Sequence, residues 1–284
     1  MNTRLLIIGA TLAAALLAAV LVAGAALWLT LRDNGDIEPA PPVTGIALPI
    51  PPVPPRIAIG RDYEQCLELL ETDPAAAAGF ATGWDATGGG DGATHCLALS
   101  RIALGHAAEG ARILEKLSTT STAATAARAI IYAQASQAWL MAGEFMRAYG
   151  AATLAIALRG EDPDLLIDRA VIAGSLDRFA DAIVDLDHAI AIDPDRTDAL
   201  TLRASAWRHE GKLDTAQRDL DRAMAIDPDY PEALLERGIV RQRRGDRTGA
   251  REDWQRAMDL APDSATADLA EQNLALLDAG PDRK

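Results

Sequence analysis

The chain has 284 residues, 24% of them charged, and a formal net charge of −14 at pH 7. Residues 1–60 are neutral overall, so the whole acidic excess lies in the remainder. That balance argues against nucleic acid as a partner, because phosphates demand basic faces; acidic charge also aids solubility and so does not by itself name a basic partner.

Residues 5–31 contain no charged side chain. At about 1.5 Å per residue they outreach a hydrocarbon core of about 30 Å. A secretory signal has a shorter apolar stretch, about 7–15 residues, ending in a small-residue cleavage site. Small residues stand at Ala23, Gly24 and Ala25, but Leu27, Trp28 and Leu29 follow directly. The sequence predicts a transmembrane signal anchor over residues 1–31, with a cleaved signal peptide as the alternative. Arg4 precedes the apolar run; Arg32, Asp33, Asp36 and Glu38 follow it. The positive-inside rule then leaves the N-terminus in the cytoplasm. The expected localisation is single-pass in the inner (cytoplasmic) membrane, with the rest in the periplasm or another extracytoplasmic space; cleavage would release a periplasmic protein.

Residues 32–60 read as a linker. Eight prolines fall between Pro39 and Pro55 with no helical period. Such a segment is extended, at about 3.1 Å per residue, and serves as a spacer.

Residues 61–128 read as irregular, degenerate helical hairpins. Tyr63, Cys66, Leu67 and Leu70 share one face of a first helix. A second helix is expected over 74–84, a loop at Gly88, Gly89 and Gly90, and a hairpin over 93–104 and 107–117. The glycine run is not a phosphate loop, since neither a preceding strand nor a following Gly-Lys-Ser/Thr is present. Cys66 and Cys96 are the only cysteines. In the cytosol they would be ordinary buried thiols; outside the membrane a disulfide is expected. Closing about 31 residues would stabilise by roughly 3.7 kcal/mol at most on the chain-entropy argument. A metal site is disfavoured, with only His95 and His106 nearby and no Cys-x-x-Cys spacing.

Downstream, residues repeat every 34 positions: Pro194, Pro228 and Pro262; Ala182, Ala216 and Ala250; Leu166, Leu200 and Leu234. A strict period of this length means stacked copies of one small unit. The unit ending at Pro228 has Leu200, Arg203, Ala204 and Trp207, then Gly211, then Ala216, Leu220 and Ala223. Each half has helical spacing. Gly211 breaks the first helix and Pro228 cannot continue the second. The next unit has Leu234, Arg237, Gly238, Gly245, Ala250, Trp254 and Ala257; the preceding one has Asp177 where a turn glycine is expected. A weaker unit upstream has Tyr132, Trp139, Gly143, Ala148 and Ala155. The four units span 129–162, 163–196, 197–230 and 231–264. Arg169, Arg203 and Arg237, with Asp185, Asp219 and Asp253, form two more ladders at the same step. They read as register-fixing pairs, worth about 0–1 kcal/mol each if exposed.

This order of small and large residues resembles the tetratricopeptide repeat family, specifically over residues 129–264, and the type resembled is a membrane-anchored or secreted bacterial one. The resemblance implies an all-α, right-handed superhelical solenoid of antiparallel helix hairpins. It also implies a concave groove that binds proteins or peptides, and no catalytic residues. Family grooves are lined by first-helix residues. Carried over, the exposed candidates are Gln137, Thr201, Ser205, Arg208, Gln242 and Arg243. Some members clamp a partner's C-terminal carboxylate with Lys and Asn of successive first helices. The first helices of the three strong repeats contain neither here, which speaks against that recognition.

Residues 265–284 read as a capping helix and tail, with Asp263 or Ser264 able to cap the start. Arg241, Arg243, Arg244 and Arg247 close a first helix, where cations suit the helix dipole. No serine-hydrolase elbow, zinc-protease motif or dinucleotide fingerprint occurs. The expectation is therefore a non-catalytic interaction scaffold with no cofactor or metal, a protein or peptide partner and a membrane anchor. The alternatives are an assembly or maturation factor, or a self-associating component, of an envelope complex. An enzyme would need chemistry around His95, Cys96 and His106.

Overall fold

The structure, a computed structural model, describes residues 56–279; the expected membrane anchor and the Pro-rich run lie outside them. The described residues form thirteen helices and no strand, and none of these helices is long and apolar enough to cross a membrane. They are α1 (Arg61–Thr72), α2 (Pro74–Ala86), α3 (Gly90–Ala103), α4 (Ala107–Thr120), α5 (Thr125–Met141), α6 (Phe145–Leu158), α7 (Pro163–Ser175), α8 (Phe179–Ile192), α9 (Thr197–His209), α10 (Leu213–Ile226), α11 (Pro231–Arg243), α12 (Arg247–Leu260) and α13 (Ala265–Ala279). Successive helices pack on one another as a solenoid of hairpins.

The turns inside the hairpins show why the period is strict. Gly143, Gly211 and Gly245 have φ of 72°, 73° and 89°, and Asp177 takes the same left-handed conformation at 56°. This lets the next residue donate back five positions: Glu144 N to Trp139 O, Arg178 N to Ala173 O, Lys212 N to Trp207 O and Asp246 N to Arg241 O, all 2.8–2.9 Å. These bonds satisfy carbonyls that the helix end leaves open. Between hairpins, Asp193 and Asp227 accept from the backbone N–H two residues on, bracketing Pro194 and Pro228. Ser264 caps α13 through Ala267 N.

Small residues on the first helix meet large ones on the second. The equivalent positions hold Ala170 and Leu186, Ala204 and Leu220, and Gly238 and Trp254, with both side chains of the first two pairs buried. In the last pair Trp254 has swollen into the room that an alanine would use: a Cβ on Gly238 would lie 2.3 Å from Trp254 Nε1. That Nε1–H donates to Leu235 O at 3.1 Å. The core falls into apolar clusters that share helices: one runs from Ile57 to Ala152 and takes in Ile172 of α7, a second runs from Leu166 to Val240, and Tyr132, Ala155 and Leu165 form a small one beside them.

The two charged ladders pair within each hairpin. Arg169 Nε and Nη2 donate to Asp185, Arg203 to Asp219 and Arg237 to Asp253, at 2.6–2.9 Å. They differ from the weak surface pairs anticipated: the carboxylate side chains are only 5, 10 and 4% exposed. Arg203 also reaches back to Asp187 of the preceding hairpin at 2.7 Å, and Arg169 reaches Thr153 at 3.3 Å. The 129–162 hairpin has Ala135 and Ala151 in these places.

Two stability outcomes follow. Gly238→Ala should cost about 1–3 kcal/mol through overpacking, and most of that cost should vanish in a Trp254→Leu background; equal costs in both backgrounds would show that Trp254 is not the obstacle. Arg203→Leu strands a buried carboxylate and should cost about 3 kcal/mol, whereas Arg256→Ala, at a pair with both partners about half exposed, should cost under about 1 kcal/mol. Urea melts of the three proteins check this.

Candidate functional site: the first-helix face

Contacts between first helices of successive hairpins, α7 with α9, α9 with α11 and α11 with α13, outweigh those between second helices. The stack is therefore tightest along its first-helix side, and that side forms the inner face. Along each first helix one stripe faces it, at a spacing of four, three and four residues. On α7 the stripe is Asp164, Asp168, Val171 and Ser175; on α9 it is Asp198, Leu202, Ser205 and His209; on α11 it is Glu232, Glu236, Ile239 and Arg243. The stripe begins acidic, is apolar or small in its middle and ends mixed.

The residues carried over from sequence fall unevenly on this face. Gln137 is half-buried and its amide donates to Asp168 Oδ2 at 3.4 Å across α5 and α7. Ser205 is half-buried and accepts from Arg208 Nη2 at 3.0 Å. Gln242 is half-buried and Arg243 exposed. Thr201 and Arg208 were anticipated as exposed, and both are buried. The Thr201 hydroxyl is taken up by Thr197 O one turn back, at 2.8 Å. Arg208 is drawn inward by Glu236 of the next first helix, a pair with both side chains near 10% exposure.

Between α7 and α9 the face opens into a cavity of about 290 Å³. Ala182 and Leu186 of α8 line it together with Val171, Ser175, Leu202 and Ser205. Phe179 and His209 also line it, stacked with ring centroids 4.2 Å apart and planes 12° from parallel. Burial and the neighbouring Arg208 hold the His209 imidazole below its ordinary pKa. Asp168 lies one turn before Val171. Burial, reinforced by Asp164, pushes its carboxyl up to about 6. Sequence inspection passed over Asp168, Val171, Phe179 and His209; the signal available was the stripe itself, read rung against rung.

The other histidine region is closed. Cys66 of α1 and Cys96 of α3 form a disulfide with Cα atoms 6.2 Å apart. His95 is fully buried, its Nδ1 2.7 Å from the Tyr63 hydroxyl and its Nε2 2.7 Å from Gln134 Oε1. A neutral ring with its proton on Nε2 donates to Gln134 and accepts from Tyr63. Burial lowers the His95 pKa to about 4 and raises that of Tyr63 to about 12. His106 is exposed at the start of α4, apart from this network. Among the described residues, no group of three or more His, Cys, Asp or Glu is placed to hold a metal ion.

Residues 202–275 match the family described as tetratricopeptide repeat. Over that stretch the hairpins match the tetratricopeptide repeat, and the hairpins before it share its helical architecture. Among solved structures, the Cut9–Hcn1 hetero-tetramer of the APC/C is similar at 14% identity and TM-score 0.54, over 75% of this chain and 42% of that one. MamA (residues 41 to the end) from Desulfovibrio magneticus RS-1 is similar at 15% identity and TM-score 0.51, over 73% of this chain and 99% of that one. YrrB, described as a TPR protein with an unusual peptide-binding site, aligns at 18% identity and TM-score 0.47, over 75% of this chain and 98% of that one. No curated protein sequence matches the chain.

The buried imidazole makes stability depend on pH. Above pH 6.5 His95 is neutral folded or unfolded; below it, the unfolded chain binds a proton that the folded one refuses until about pH 4. Stability contributed by His95 therefore falls as pH drops through that window, by about 2 kcal/mol between pH 7 and 5. Asp168 works in the opposite direction, since its raised pKa favours the folded state as pH falls. Urea unfolding of wild type and His95→Gln at both pH values separates the two, because the difference cancels Asp168. Equal pH slopes in the two proteins would mean that His95 titrates normally.

Proposed function

We propose that this chain is a non-catalytic scaffold whose first-helix groove holds a segment of another protein. One observation carries the reading: positions that pack the hairpins recur every 34 residues, while those facing the groove change from rung to rung around an open cavity. A fold maintained for its own sake needs the first set only. The similar Cut9–Hcn1 assembly, a hetero-tetramer, offers a precedent for the fold engaging protein.

The groove works on the extracytoplasmic side of a membrane, tethered by residues 1–31 as a single-pass anchor with residues 32–60 as spacer. The length of the apolar run supports the anchor, and a Cys66–Cys96 disulfide suits an oxidising compartment. Release to the periplasm by signal cleavage is the alternative. A second reading, self-association or assembly of an envelope complex, draws on Leu269 and Leu276. These are 48 and 69% exposed on α13, at the end of the stack. A scattering mass that rises with concentration would favour it.

The test is selection of displayed peptides on the purified full-length protein. Selected peptides should lose about tenfold or more in affinity to Ser205→Trp, with the melting curve unchanged. Failure to select any peptide, or affinity indifferent to substitution on this face, would remove the groove reading. The mass of the mature protein should include residues 5–31; a mass lacking them would establish cleavage.

A further inference from the structure

The geometry points to a specific ligand chemistry for the groove, resting on the reading above: an extended peptide that places an apolar side chain in the cavity between α7 and α9 and a Lys or Arg, within about three residues of it, against Asp168.

Small residues keep the cavity open at this rung. Gly174, Ser175, Ser205 and Ala182 leave it open, whereas Ile239 occupies the Ser205 position one hairpin on. Its lining is mostly apolar, with Val171, Phe179, Leu186 and Leu202 outweighing Ser175, Ser205 and His209, so the complement is an aliphatic or aromatic side chain.

The neighbouring charge sets the second requirement. First-turn acids are ordinary where they complement the helix N-terminus, which accounts for Asp164, Asp198 and Glu232. Two of these already have a cation: Arg196 bonds Asp164 at 2.6 Å and Asp198 at 2.7 Å. Asp168 lies beyond the first turn, so the dipole does not explain it. It forms no salt bridge among the described residues; its amide contact with Gln137 is long, at 3.4 Å, Asp162 and Asp164 repel its charge, and the one cation that attracts it, Arg196, is already bonded to Asp164 and Asp198. A desolvated carboxylate with this little compensation is costly in the free protein, and a ligand cation would relieve the cost. With its pKa near 6, Asp168 is mostly ionised at pH 7 and remains available to such a cation. Asp168 and Val171 are about 4.5 Å apart along the helix and Asp164 and Val171 about 10.5 Å, distances spanned by one to three residues of extended peptide.

An acidic tail is the wrong complement here. It would set like charges against Asp164 and Asp168, and hairpin 163–196 carries eight Asp against three Arg.

Labelled peptides on a Gly/Ser background provide the probe, carrying Leu or Ser at the centre and Lys or Glu three residues to either side, titrated onto the full-length protein by fluorescence anisotropy. The Leu/Lys peptide should bind best. Replacing Lys by Glu should weaken it about tenfold on wild type and hardly at all on Asp168→Asn. Replacing Leu by Ser, or closing the cavity with Ser205→Trp or Val171→Trp, should lose a similar factor, melting curves confirming that each variant folds. Equal or tighter binding of the Glu peptide overturns the inference, as does a charge preference that survives Asp168→Asn. If library-selected peptides bind this face while none of the defined probes does, the inference falls and the groove reading stands; if neither binds, both fall.

Discussion

Two helices can lie this close only where one of them offers almost no side chain. Ala170, Ala204 and Gly238 on first helices give Leu186, Leu220 and Trp254 their space, and everything else in the repeat is arranged around that contact. A left-handed turn residue brings the second helix back at the right angle, and an Arg–Asp pair fixes its register. The close packing excludes water from the Asp carboxylates, which turns an ordinary pair into an expensive one to break. The Gly238–Trp254 pair shows the constraint acting in both directions: the larger the residue on one helix, the smaller its neighbour has to be.

Much of this was legible in the chain itself, because the constraint is periodic. The turn positions Gly143, Asp177, Gly211 and Gly245 stand 34 apart, and a non-glycine among them still takes the left-handed conformation. The ladder of Arg and Asp announced pairing, though not burial, since exposure depends on how tightly neighbouring hairpins close. The groove was harder to read. Thr201 and Arg208 occupy first-helix positions of the right kind, but the second is claimed by Glu236, 28 residues away, and no spacing rule within one repeat reveals that. The cavity escaped notice because it consists of what is missing: Gly174, Ser175 and Ser205 mean little individually and define a socket only when two helices bring them together.

The entrance to the solenoid uses other means. Residues upstream of the regular repeats lack the Arg–Asp pair, and α1, α3 and α5 are instead joined by a disulfide and by the Tyr63–His95–Gln134 chain. Both are strong only while their surroundings stay dry and oxidised. The regular repeats need neither condition.

The junction between α6 and α7 has a mechanical meaning. The entrance cluster crosses it through Ile172 and Leu176 of α7, Tyr132, Ala155 and Leu165 pack beside them, and the hairpin on the N-terminal side has alanines in place of the charged pair. In a structure that behaves as a row of nearest-neighbour springs, a junction without that pair is softer than those that have it. A chain held at its N-terminal end and pulled by whatever the groove grips would give way there first. Such a seam would let residues 163–279 tilt as a unit before any repeat unravels.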